Sequence, residues 1–293
     1  MINQLIKKIQ EKNSVVVVGL DPYLQQLPLS IRQAAYEKYG RTMKGASEAI
    51  WGFNQCVIDE VADLVVAVKP QIAFYELYGY EGIRVYQQTI QYAKTKGLLV
   101  IGDCKRGDIG STSEAYALAH LGKTEIDGYH EAAFDHDFLT VNPYLGSDGL
   151  RPFIQVCEKY HKGIFVLVKT SNPSSGELQD QLLADGKPLY LKAASLIKKG
   201  TQGYHSIGCV VGAAHPKIAR ELRKALSHSF FLVPGYGHQG GDGKSVSVCF
   251  NEDGLGALVS ASRSVLYSGN SDNWRKEIRK AVLLMNQDIN QYR

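Results

Sequence analysis

Eight short apolar runs, most of them rich in β-branched residues, recur along the chain: "SVVVVGL" (14–20), "DLVVAVK" (63–69), "LLVIGDCK" (98–105), "FLTVNP" (138–143), "GIFVLVKTS" (163–171), "SIGCVVG" (206–212), "FFLVPG" (230–235) and "GALVSAS" (256–262). Segments between them, such as "EGIRVYQQTIQYAKTKG" and "PKIARELRKALSH", space their apolar residues as one face of a helix. A strand apolar along its whole length is covered on both faces, which is the situation of a parallel sheet flanked by helices. Eight strand–helix units predict an α/β fold: a (β/α)8 TIM barrel, one domain over 1–293, with extra helical insertions. A doubly wound open sheet is the alternative. No Pro/Gly/Ser-rich linker divides the chain. Stretches 22–62 and 106–137 are longer than a crossover needs and are expected to carry extra helices or a lid.

Composition narrows the function classes. The net charge of +4 is spread along the 293 residues without a block of five like charges, so no nucleic-acid arm is indicated. Apolar runs such as "LVVAV" are far too short to span a membrane. The opening "MINQLIKKIQEKNS" has no continuous apolar core and does not read as a signal peptide. Five scattered cysteines without a CxxC argue for reduced thiols, and against a disulfide framework or structural zinc. A cytoplasmic enzyme acting on a small anionic molecule is the expectation.

The residues at the strand ends are more telling. They are Asp21, Lys69, Asp103 with Lys105, Asn142, Lys169 with Ser171, Gly212, Gly235, and Ser262 with Arg263. In a barrel all of these lie on the face that holds active sites. Polar strand ends are common because loops are polar. Ionisable groups at the mouth of an apolar strand are costly, however, and Asp21, Lys69, Asp103 and Lys105 together need a reason.

The densest stretch is "IGDCKRGDIGST" (101–112). Alternation along a strand sends Asp103 and Lys105 to one side and Cys104 to the other. Asp108 comes next, on the loop. Two carboxylates around Lys105 would hold it protonated, and a positioned ammonium is a general acid. The same carboxylates repel an anion placed beside them. That combination suits a reaction in which an anionic group departs and a proton replaces it, and decarboxylation is such a reaction. An exposed ion-pair loop, worth about 0–1 kcal/mol, would not explain the placement.

"DCKRGDIGST" resembles the Asp-x-Lys-x-x-Asp signature of the orotidine 5′-phosphate decarboxylase family. The flanking "VVGLDP", "AVKPQIAFYE", "VNPYLGSD", "VKTSNPSS", "VPGYGHQGGD" and "SASRSVLY" agree with it in order, and the wording is similar to the longer bacterial branch. The resemblance implies a cofactor-free and metal-free conversion of orotidine 5′-phosphate to UMP. Lys105 is then the proton donor to C6, and Asp103 sits beside the substrate carboxylate. Lys69 and Asp21 bind ribose hydroxyls and complete the charge network. Asp108 and Thr112 cross a homodimer interface into the partner's site. Ser171 hydrogen-bonds the pyrimidine edge.

The segment "VPGYGHQGGDG" (233–243) contains a formal GxGxxG, but it lies late in the chain and no helix begins directly after it. It reads better as a glycine loop offering backbone N–H groups to one phosphate. Arg263, just past the eighth run, can grip that phosphate bidentately. The resemblance pairs Gln239 with Arg263 in this role. His136, His215 and His238 lack metal-ligand spacing and read as surface or packing residues.

Two other readings compete. A magnesium-dependent sugar-phosphate decarboxylase or synthase of the same barrel superfamily would share DxKxxD, but such enzymes place an acidic metal ligand where this chain has Lys69. A non-catalytic phosphate-binding barrel would be expected to lose the Asp103, Lys105 and Asp108 set.

Overall fold

The computed structural model describes residues 1–197, 203–269 and 273–293. Eight parallel strands close into a barrel: β1 (Val16–Leu20), β2 (Ala67–Pro70), β3 (Leu99–Arg106), β4 (Phe138–Val141), β5 (Gly163–Lys169), β6 (His205–Val211), β7 (Ser229–Pro234) and β8 (Ala257–Ala261). Each lies on one of the eight apolar runs. Closure is made by β1 against β8, with Val16 opposite Val259 and Val18 opposite Ala261, and by β1 against β2, with Val18 opposite Val68. The strands are buried because helices cover the outside and side chains fill the inside. Every residue of β1, β2, β4 and β8 is buried.

The two long stretches carry additional structure. Stretch 22–62 forms the helices Leu29–Tyr39 and Met43–Val61. Thr42 starts the second of these, its hydroxyl accepting the Gly45 N–H at 3.1 Å. Stretch 106–137 forms the helix Gly110–Leu121 and then an exposed hairpin, Thr124–Ile126 against Tyr129–Glu131. The helices Ile2–Lys12 and Trp274–Asn290 lie at the two ends of the chain, and their ends meet where the Asn290 amide donates to the Asn13 carbonyl at 2.8 Å. Among the described residues no helix is long and apolar enough to cross a membrane.

One strand departs from regularity where the charges are. The register of β3 against β4 shifts between Gly102 and Arg106, and Lys105 adopts φ +48°, in the left-handed region that non-glycine residues rarely enter. Thr140 of β4 supports the distortion. Its hydroxyl oxygen accepts the backbone N–H of Cys104 and of Lys105, each at 3.0 Å.

Candidate active site

The C-terminal ends of the strands surround a cavity of about 170 Å³. Its lining includes Asp21, Lys69, Asp103, Ser171, Gln239 and Arg263, from the ends of five different strands and the loop after β7.

Asp103 is the hub. Lys69 donates to its Oδ2 at 2.7 Å and Lys105 to its Oδ1 at 2.6 Å. Thr140 adds a third donor to Oδ1 at 3.1 Å. Lys69 and Asp103 are both buried, whereas the side chain of Lys105 is 47% exposed and is not among the lining residues; it is tied to the cavity through Asp103. Burial alone would push the Asp103 carboxyl up. The two ammonium groups and their hydrogen bonds outweigh it and hold the acid well below the usual carboxylate range. Burial likewise opposes the charge on Lys69, but the carboxylates of Asp103 and Asp21 raise its pKa above the ordinary lysine value. The cluster is therefore a fixed pair of cations on one anion. Asp21 Oδ1 is buried without a hydrogen-bond partner, an acceptor left over for a hydroxyl donor.

At the other end of the cavity, the loop after β7 turns through Gly235, Gly237 and Gly240 at φ +105°, +73° and +84°. These are conformations a side chain would strain. The expectation of free backbone donors is narrowed. The amides of Gly237, His238, Gly240 and Gly241 are bonded to carbonyls of the loop itself, and those of Gly235, Tyr236 and Gln239 are not among these internal bonds. The side chains of Gln239 and Arg263 line the cavity beside them. His238 is also corrected. It lines the cavity and its Nε2 accepts from Arg263 Nη1 at 2.6 Å, so it is part of this wall. Tyr236 points its hydroxyl at Asp288, 2.7 Å away.

Asp108 and Thr112 do not line this cavity. Asp108 accepts the N–H of Ile109 at 2.8 Å, and Thr112 is exposed in the first turn of the helix Gly110–Leu121. Among the described residues Asp108 makes no ion pair, so within one chain Lys105 has a single carboxylate partner, Asp103. The spacing argument that put two carboxylates around Lys105 missed that the chain turns away after Arg106. Sequence reasoning also missed Thr140. A threonine in "FLTV" carries no signal beyond being polar in an apolar strand.

Comparison with known proteins agrees with this geometry. Residues 48–278 match the family model described as the orotidine 5′-phosphate decarboxylase / HUMPS family. The orotidine 5′-phosphate decarboxylase of Rhodopirellula baltica is 42% identical across 98% of this chain and 97% of its own length. A Toxoplasma gondii crystal structure, provisionally assigned as an orotidine-monophosphate decarboxylase, superposes with a TM-score of 0.78 at 30% identity, covering 99% of this chain and 98% of that one. The structure of Leishmania donovani OMP decarboxylase gives a TM-score of 0.74 at 26% identity, with 98% of each chain covered.

Proposed function

The chain belongs to the orotidine 5′-phosphate decarboxylase / HUMPS family, and on that premise we propose that it converts orotidine 5′-phosphate to UMP and CO2 in pyrimidine biosynthesis, with Lys105 as proton donor and no cofactor. The observation that carries the reading is the single carboxylate of Asp103 held between two lysines, one buried and one half-exposed.

The C6–carboxylate bond breaks and its electron pair stays on C6. The Lys105 ammonium stabilises the growing charge, then gives C6 its proton and is recharged from water. Reactions this difficult require about 20 kcal/mol of barrier lowering. Asp103 contributes in two ways. It keeps Lys105 placed, and its own anion lies beside the group that departs as neutral CO2. Lys69 and Asp21 bind the ribose hydroxyls, and Ser171 the pyrimidine edge. Gln239 and Arg263 hold the 5′-phosphate. The binding energy of that remote group orders the loop over the site and excludes water.

Asp108 and Thr112 serve the other subunit. In this reading the protein is a cytoplasmic homodimer of single-domain chains, residues 1–293, and each chain lends these two side chains to its partner's cavity. Exposed apolar residues near them, Ile109 at 56% and Leu145 at 47%, give that contact a surface to bury. A magnesium-dependent sugar-phosphate reaction is not favoured. The Lys69 ammonium stands 2.7 Å from Asp103 Oδ2 and already supplies that oxygen with a cation.

The test is the ultraviolet absorbance of orotidine 5′-phosphate followed with and without EDTA. EDTA-insensitive decay is expected. No decay, or decay only with added magnesium, overturns the reading.

A further inference from the structure

On the face of β3 turned away from the cavity, three metal-ligating side chains converge. The ligand atoms of Cys104, His120 and His136 all lie within 4.8 Å of one another, and all three residues are buried. His120 Nδ1 is 4.0 Å from Cys104 Sγ. His136 Nδ1 faces the backbone carbonyl oxygen of His120 at 3.2 Å. A ring N–H donated there fixes the tautomer and makes Nε2 the acceptor, the arrangement that outer-shell carbonyls impose on metal-bound histidines. That acceptor now takes the Tyr86 hydroxyl, 2.8 Å from His136 Nε2 and 3.3 Å from Cys104 Sγ, and an ion entering the cluster displaces this hydrogen bond. Gly102 makes room for the imidazole, since a Cβ there would come within 2.9 Å of the His136 ring.

The chemistry of the pocket is soft. No carboxylate belongs to the cluster, and the ring of Phe134 stacks on His120 at 5.0 Å. The Cys104–His120 contact is the loosest of the set, a 4.0 Å S···N distance at the limit for a thiol. Around a tetrahedral zinc, with bonds of about 2.3 Å to sulfur and about 2.0 Å to nitrogen, neighbouring ligands sit roughly 3.5 Å apart. A contraction of about half an ångström would bring Cys104 and His120 to that spacing, and one of up to about 1.3 Å would bring the whole set to it.

We propose that Cys104, His120 and His136 form a structural site for a zinc-like divalent ion, with the Tyr86 hydroxyl beside the fourth position. Cys104 loses its thiol proton to solvent when the ion binds. The ligands are sixteen residues apart in each step, at the end of β3, the end of the helix Gly110–Leu121 and the lead into β4. The ion therefore fastens both ends and the middle of the one crossover that carries Asp108 and Thr112. It takes no part in the decarboxylation, so the outcome here and the outcome of the activity test are independent.

The experiment is metal analysis of the whole protein produced in medium supplemented with zinc or with cobalt(II). About one ion per chain is expected, and the cobalt form should show thiolate-to-metal charge transfer and tetrahedral ligand-field bands. His120→Ala and His136→Ala should each lower metal content at least about tenfold, and each should lower Tm towards that of metal-free protein. Wild-type protein that carries no ion from either medium overturns the site, as does a cobalt form without a thiolate band. Unchanged metal content in folded variants also overturns it. Where a variant does not fold, the wild-type cobalt spectrum alone decides.

Discussion

Thr140 accepts the backbone N–H of Lys105 at 3.0 Å, across the irregular junction of β3 and β4. The same hydroxyl accepts from Cys104 and donates to Asp103, so one oxygen holds three consecutive residues of the charged stretch. Thr140→Val keeps the shape and removes the acceptor, stranding two amides at a cost of about 1–3 kcal/mol. Misplacing the ammonium should lower kcat by about 10²-fold. Thr140→Ser should keep most of both. Denaturation and turnover of the three proteins check this, and a fully active valine variant would rule the positioning role out.

Lys105→Ala should cost at least about 10³-fold in kcat, since it removes both the charge opposite C6 and the proton. The change exposes little apolar surface and should leave the fold intact. Near-normal turnover in the purified variant would refute the assignment.

Arg263→Ala should act mainly on kcat/KM, because the phosphate lies far from the bond that breaks. Phosphite dianion supplied with a phosphate-free substrate should restore part of the rate of the wild-type enzyme, and much less in the variant. Absence of any activation would mean that the loop after β7 does not grip a phosphate.

Subunit complementation tests the shared site. Lys105→Ala and Asp108→Asn homodimers should each be nearly inactive. In an exchanged mixture half the dimers are mixed, and each mixed dimer holds one intact cavity, so activity should recover to about a quarter of wild type. If mixing restores nothing, Asp108 acts within its own chain or not at all.

Asp103 and Lys69 should not titrate near neutrality. The Asp103 pKa is depressed in the folded protein, so its contribution to stability is full above the unfolded value of about 3.9 and is lost as pH falls through the lower folded value. The Lys69 pKa is raised, so its contribution is full below about 10.4 and is lost as pH climbs through the higher folded value. Stability should therefore show no inflection from Asp103 or Lys69 between about pH 5 and pH 9. A fall in kcat/KM below about pH 6 is expected instead from protonation of the substrate phosphate. An inflection in kcat near neutrality would place a different group in the reaction.

The barrel was legible because its strands are apolar on both faces, so each appears as an uninterrupted run such as "VVVV", and a strand ends where the run meets charge. Asp103 and Lys105 were legible as a pair for the same reason, since side chains two apart share a side. The left-handed Lys105 was not, because nothing in "DCKRGD" marks the shifted register. His238 was misjudged because its role depends on Arg263, twenty-five residues further on. The meeting of His120 with His136 was hidden for a similar reason. Ligand spacing is recognisable when one turn or one hairpin brings the ligands together, and these are joined by a whole crossover.

The pairing of β1 with β8 has a consequence for how the site comes into being. Asp21 and Arg263 face one cavity, yet the ribosome makes one 242 residues before the other. A nascent chain that has not reached β8 already owns its lysines and its Asp103, but it lacks the wall that would seat a nucleotide among them. Such a chain cannot bind substrate halfway. Catalytic competence arrives in one step, with the ring's last seam, and a chain that stalls before that point is inert.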